Sequence, residues 1–105
     1  MTHLSTHVLD AVSGRPAVGV AVTLTAADGV ALASARTDAD GRVAALADGL
    51  APGVYRLTFD TASYFAGTPA FYPEVTITFE VTAGSPKYHV PLLLSPFAYS
   101  TYRGS

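Results

Sequence analysis

Cysteine is absent from these 105 residues. Its absence excludes a disulfide framework, a thiolate zinc site and a cysteine nucleophile, so the fold must stand on packing alone. Charge is scarce too, at 13% of residues with a formal net charge of −2. Such a balance leaves no basic footprint for nucleic acid or for an acidic membrane surface. Long apolar runs are missing as well; the longest are strand-sized, far short of the ~20 residues of a spanning helix. Met1-Thr2-His3-Leu4-Ser5 lacks the basic and apolar regions of a signal peptide. Arg103-Gly104-Ser105 is not the Ser-Lys-Leu peroxisomal address. The expectation is a soluble cytoplasmic protein.

What is present is an apolar half, enough for one domain over residues 1–105 with a core that needs no staples. Its pattern has the two-residue period of strands. Leu4 to Asp10 puts Leu4, Thr6 and Val8 on one face and Ser5, His7 and Leu9 on the other. Val18 to Thr25 repeats the pattern, and Asp28-Gly29 is a hairpin signal leading to a partner strand over Val30 to Thr37. Asp38 to Arg42 is a second turn, with Arg42 opening the next strand. Tyr55, Leu57 and Phe59 mark an apolar face, followed by a helical turn or two capped by Asp60 or Thr61. Pro73 to Thr82, Tyr88 to Leu94 and Ala98 to Arg103 complete about eight strands, with turn signals every eight to twelve residues. This spacing predicts an all-β, antiparallel two-sheet sandwich with one short helix.

The last nineteen residues, Lys87 to Ser105, stand apart from that rhythm. His89, Tyr102, Arg103 and Ser105 lie close together in sequence, where a packed core has little use for them. His89, Pro91 and Leu93 share one face of their strand, and Ser100, Tyr102 and Gly104 share one face of the next. Pro91 is awkward on an interior strand unless its missing N–H meets a break in the ladder.

Several motifs carry a family resemblance. Gly14 to Val20, Thr37 to Arg42 and Pro52 to Tyr55 are similar to generic prealbumin-like sandwich halves. Leu4-Ser5-Thr6-His7-Val8-Leu9-Asp10, Phe71-Tyr72-Pro73-Glu74-Val75 and Tyr88 to Pro96 resemble the transthyretin-related proteins along the whole chain. Tyr102-Arg103-Gly104-Ser105 resembles the branch of that family that hydrolyses 5-hydroxyisourate, an intermediate of urate breakdown. The resemblance implies a transthyretin-like fold, a homotetramer built as a dimer of dimers, and sites between dimers. It implies catalytic roles for His7, His89 and Arg42, and substrate binding by His7, Arg42, Tyr102 and Ser105. Lys87 departs from the family's usual His before Tyr-His, and the stretch from Phe65 to Phe71 is short.

The residue types suit the implied reaction. Ring opening by water calls for a general base near neutral pKa, oxyanion donors and a cationic clamp. Histidine supplies the base and arginine the planar fork; either His7 or His89 fits the first role. Arg103 reads as a second clamp or an edge-strand gatekeeper. Ser105 lacks an Asp partner and suits hydrogen bonding better than nucleophilic attack, while His3 reads as a bystander. A catalytic zinc wants three ligands, and His7 and His89 share their face with no carboxylate, so neither metal nor cofactor is expected. The rival readings are a carrier of small aromatic ligands in an inter-subunit channel and an adhesion-type module. His7, Tyr102 and Arg103 count against the first, the missing signal against the second.

Overall fold

The computed structural model describes residues 2–105. Its elements are β1 (His3–Asp10), β2 (Arg15–Pro16), β3 (Ala21–Ala26), β4 (Ala31–Arg36), β5 (Arg42–Asp48), β6 (Gly53–Phe59), α1 (Thr61–Tyr64), β7 (Val75–Val81), β8 (Lys87–Ser95) and β9 (Ala98–Thr101). One sheet runs β2-β1-β8-β9, with β5 also paired to β1, and the other runs β4-β3-β6-β7. The sandwich expected from turn spacing is therefore present. One pairing departs from the antiparallel expectation: β1 and β8 run parallel, with eight residue pairs from His3↔Lys87 to Asp10↔Leu94.

Alternation in the sequence becomes burial between the sheets. Leu4 and Val8 of β1, Val22 and Leu24 of β3, Leu57 and Phe59 of β6, and Leu92 of β8 are all fully buried. Each such side chain contributes about 1.5–3 kcal/mol relative to exposure. Thr6 lies in the same core, and its Oγ1 donates to the Val90 carbonyl at 2.6 Å, which removes the cost of an unpaired buried hydroxyl. Asp60 caps α1 by accepting from the Ser63 N–H at 3.2 Å. Tyr64 at the end of α1 donates to Asp10 at 2.7 Å, fastening the helix to the end of β1. Burial and that bond together push the Tyr64 phenol up to about 12.

Three strand ends differ from expectation by two residues or more, one of them the start of β7, at Val75 instead of Pro73. The strand expected from Val18 begins at Ala21 because the chain turns at Val18-Gly19. The last strand stops at Thr101 instead of Arg103, and the chain then rejoins β8 through a single antiparallel bridge, His89↔Gly104. Pro91 is the physical reason. The gap between the ladder that ends at Leu92↔Thr101 and the bridge falls at Pro91, which has no N–H to donate. Its carbonyl accepts from Thr101 Oγ1 at 2.7 Å instead.

The turn before β5 is the most constrained. The Asp38 carboxylate accepts from the N–H groups of Asp40 at 2.9 Å and Arg42 at 3.0 Å. Gly41 has φ +73°, and its carbonyl accepts from the Val8 N–H at 2.7 Å. A Cβ here would overlap the Val8 carbonyl oxygen as well as strain the backbone. Gly41→Ala is expected to cost about 1–2 kcal/mol from backbone strain alone, with the overlap adding to it. Thermal unfolding should show a fall in Tm of roughly 4–8 °C per kcal/mol lost.

Candidate active site

Because β1 lies between β5 and β8, its outward residues meet outward residues from both neighbours. His7 stands opposite Arg42 of β5, and Ser5 opposite His89 of β8. Ser5, Thr6, Arg42, Ala44, Lys87, His89 and Ser105 line an open cleft of about 230 Å³ on this face. The structure thus brings His89, Arg42 and Ser105 to one cleft, with His7 beside Arg42 on the same sheet.

The two histidines are held differently. His7 Nε2 lies 2.9 Å from the Asp40 carbonyl. A carbonyl only accepts, so Nε2 carries the proton and Nδ1 is the acceptor of the neutral ring. His89 Nδ1 lies 2.8 Å from Ser5 Oγ. That hydroxyl donates or accepts, so the contact leaves the tautomer open while fixing the ring's direction. No buried polar side-chain atom is left without a partner among the described residues. His89 Nε2, which has no protein partner there, is therefore open to solvent. His3 donates from Nε2 to the Ala44 carbonyl at 2.7 Å and, like His7, is not among the residues lining the cleft.

Burial pushes the His89 imidazole below its ordinary value near 6.5. Positive charge from Arg42, His7 and Lys87 acts in the same direction, and hydrogen bonding with Ser5 opposes it. Asp38 lies in the turn ahead of Arg42, and its carboxyl is held low by the N–H groups of Arg42 and Asp40 that shape the turn. Among the described residues, no group of three or more His, Cys, Asp or Glu converges as a metal site.

The tail's residues are not gathered at one cleft. Gly104 donates to the His89 carbonyl at 2.8 Å and Ser105 lines the histidine cleft. Arg103 places its guanidinium 4.6 Å from the centre of the Tyr88 ring. Hydrogen bonds from Ser85 and Thr82, with Arg103 close by, lower the Tyr88 phenol to about 8. Tyr102 and Arg103 line a larger, more apolar cleft of about 330 Å³ with Ile77, Phe79 and Val90. Tyr102 is not brought to the histidine cleft, although the register of the bridge sets it opposite Pro91. Ser5 was not singled out from the sequence; the available signal was its position two residues before His7 on the same face.

A proton titration of His89 followed by NMR is expected to give a midpoint below 6.5, and Arg42→Gln should move it upward by removing the nearby cation. The linked stability follows the same sign. Folding holds this group's pKa below its unfolded value, so its contribution is present above the unfolded pKa and is lost as pH falls through the folded one.

A model of the HIUase/transthyretin family matches residues 4–104. A 5-hydroxyisourate hydrolase from Caulobacter vibrioides is 46% identical over 115 residues, covering 100% of both chains. The solved structure of Klebsiella pneumoniae 5-hydroxyisourate hydrolase superposes with a TM-score of 0.92 at 41% identity, again over 100% of both chains. Transthyretin from Sparus aurata gives a TM-score of 0.89 at 36% identity, covering 96% of this chain and 95% of its own.

Proposed function

The chain belongs to the HIUase/transthyretin family, and from that premise we propose that it hydrolyses 5-hydroxyisourate in urate degradation, using the His7–Arg42–His89 face as its active site. The observation that carries this reading is the presence of two differently held histidines and an arginine on one sheet face, in a chain whose hydrolase relatives match it end to end. Fold alone does not separate hydrolase from carrier, because a transthyretin superposes almost as well. The residues favour the hydrolase.

His89 suits the base. Its lowered pKa keeps the imidazole neutral near pH 7, and Nε2 is free to take a proton from water. That water attacks a ring carbonyl, the carbonyl oxygen gathers negative charge, and Arg42 offers donors to it. Ring opening then breaks the bond to the leaving nitrogen, which receives the proton. His7, with Nδ1 as acceptor, orients the water or relays that proton. Ser105 lines the cleft, and with Tyr102 it would complete the substrate's surroundings.

We further propose a cytoplasmic homotetramer, a dimer of dimers. In a single chain the cleft is smaller than the ~300–1,000 Å³ usual for ligand pockets, and Leu9 and Leu93 on the same face are only half-buried. A second subunit would supply the missing wall. Among the described residues no helix is long and apolar enough to cross a membrane.

The deciding assay follows the ultraviolet decay of 5-hydroxyisourate freshly made from urate by urate oxidase. The wild-type chain should accelerate it, with chelator present or absent. His89→Ala, His7→Ala and Arg42→Ala should each lower kcat/KM by about 10²–10⁴-fold. Decay no faster than the spontaneous rate, from folded protein, would sink the assignment. Sedimentation equilibrium should return four chain masses; a monomer with full activity would overturn the inter-subunit site.

A further inference from the structure

We propose that Ser5 and Gly104 are positioning residues that hold the His89 imidazole in one orientation, with Nδ1 against Ser5, the Cγ–Cδ2 edge against Gly104 and Nε2 open to the cleft. This rests on the reading of His89 as part of the hydrolytic machinery.

Gly104 is the less obvious half of the clamp. Its backbone is not in the left-handed region that usually calls for glycine. What it supplies is room: a Cβ built on it would overlap His89 Cδ2 and come within 3.1 Å of Cγ and 3.2 Å of the His89 carbonyl oxygen. Nor does the tail have freedom to retreat. The Gly104 N–H donates to that same carbonyl at 2.8 Å, and the preceding Arg103 is stacked on Tyr88. Any side chain at 104 must therefore displace the ring or break the bridge.

Ser5 acts from the other side. The parallel register sets it directly beside His89, and its hydroxyl meets Nδ1 at 2.8 Å. Two of the ring's edges are thus occupied by β1 and by the tail. The remaining nitrogen, Nε2, has no protein partner and is not buried, and the ring lines the open cleft with Arg42 and Ser105. Pro91 sharpens the arrangement, since it interrupts the β8–β9 ladder and leaves the Gly104 bridge to return the chain to the histidine.

The test uses the full chain with four variants: Ser5→Ala, Ser5→Thr, Gly104→Ala and His89→Ala. Ser5→Ala and Gly104→Ala should lower kcat by about tenfold or more with KM changed less than about twofold, as expected when a reacting group is displaced rather than removed. Ser5→Thr, which keeps the hydroxyl, should recover most of the loss. The ¹⁵N shifts of the His89 ring should move in Ser5→Ala, reporting an altered tautomer balance. Gly104→Ala should lower Tm in the wild-type background and much less beside His89→Ala, where the ring it strikes is gone. Wild-type kcat and unmoved ring shifts in Ser5→Ala, or an equal Tm loss in both backgrounds, would overturn the clamp while an inactive His89→Ala left the hydrolase reading standing. Full activity in His89→Ala would instead remove the role of His89, and the clamp's purpose with it.

Discussion

The parallel pairing of β1 with β8 is the constraint on which the rest depends. Side chains alternate across a sheet, so a slip of one residue would exchange Leu4, Thr6 and Val8 for Ser5, His7 and Leu9 in the core. Burial of the first set forbids that slip. Thr6 adds a polar lock within the core, its hydroxyl bonded to the Val90 carbonyl. The same register that fills the core sets Ser5 against His89 and leaves His7 facing Arg42. Packing energy spent inside the sandwich thereby fixes chemistry on its outer face.

A chain with so few charges gathers three of its cationic or titratable bases, Arg42, Lys87 and His89, around one cleft. The nearby Asp38 carboxylate has its hydrogen bonds taken up by the backbone of the turn that presents Arg42. No Asp or Glu side chain lines the cleft, and its Arg and Lys suit an electron-rich heterocycle and the negative charge that develops on its carbonyl. Mutual repulsion among these groups also explains why His89 favours its neutral form.

Local patterns were legible because they answer to local physics. The alternations of β1, β6 and β7, the Asp60 cap and the Asp-Gly turn ahead of Arg42 all follow from residue type and spacing, and each appears where the sequence puts it. Strand partnership is different. Nothing in Leu4 to Asp10 says that its neighbour lies some eighty residues on and runs parallel, because that choice is made by the whole core. Tyr102 shows the remaining limit. Parity put it on the face of His89 and Pro91, yet its surroundings depend on the break at Pro91 and on Arg103 turning to Tyr88, which are tertiary facts. Pro91 itself was legible as an anomaly, and the structure supplies the gap it required.

His7, Arg42 and His89 stand on the strands of one sheet and not on loops projecting from it. Local opening that would disperse them must part β1 from its neighbours, and doing so uncovers Leu4, Val8 and Leu92. Amides of Ser5 and His7, on the side of β1 that pairs with β8, are therefore expected in the slowest-exchanging class, opening only with the whole domain. Within a single chain, the tail, joined to β8 by a single bridge, is the one part of the site that can leave while the sandwich stays folded.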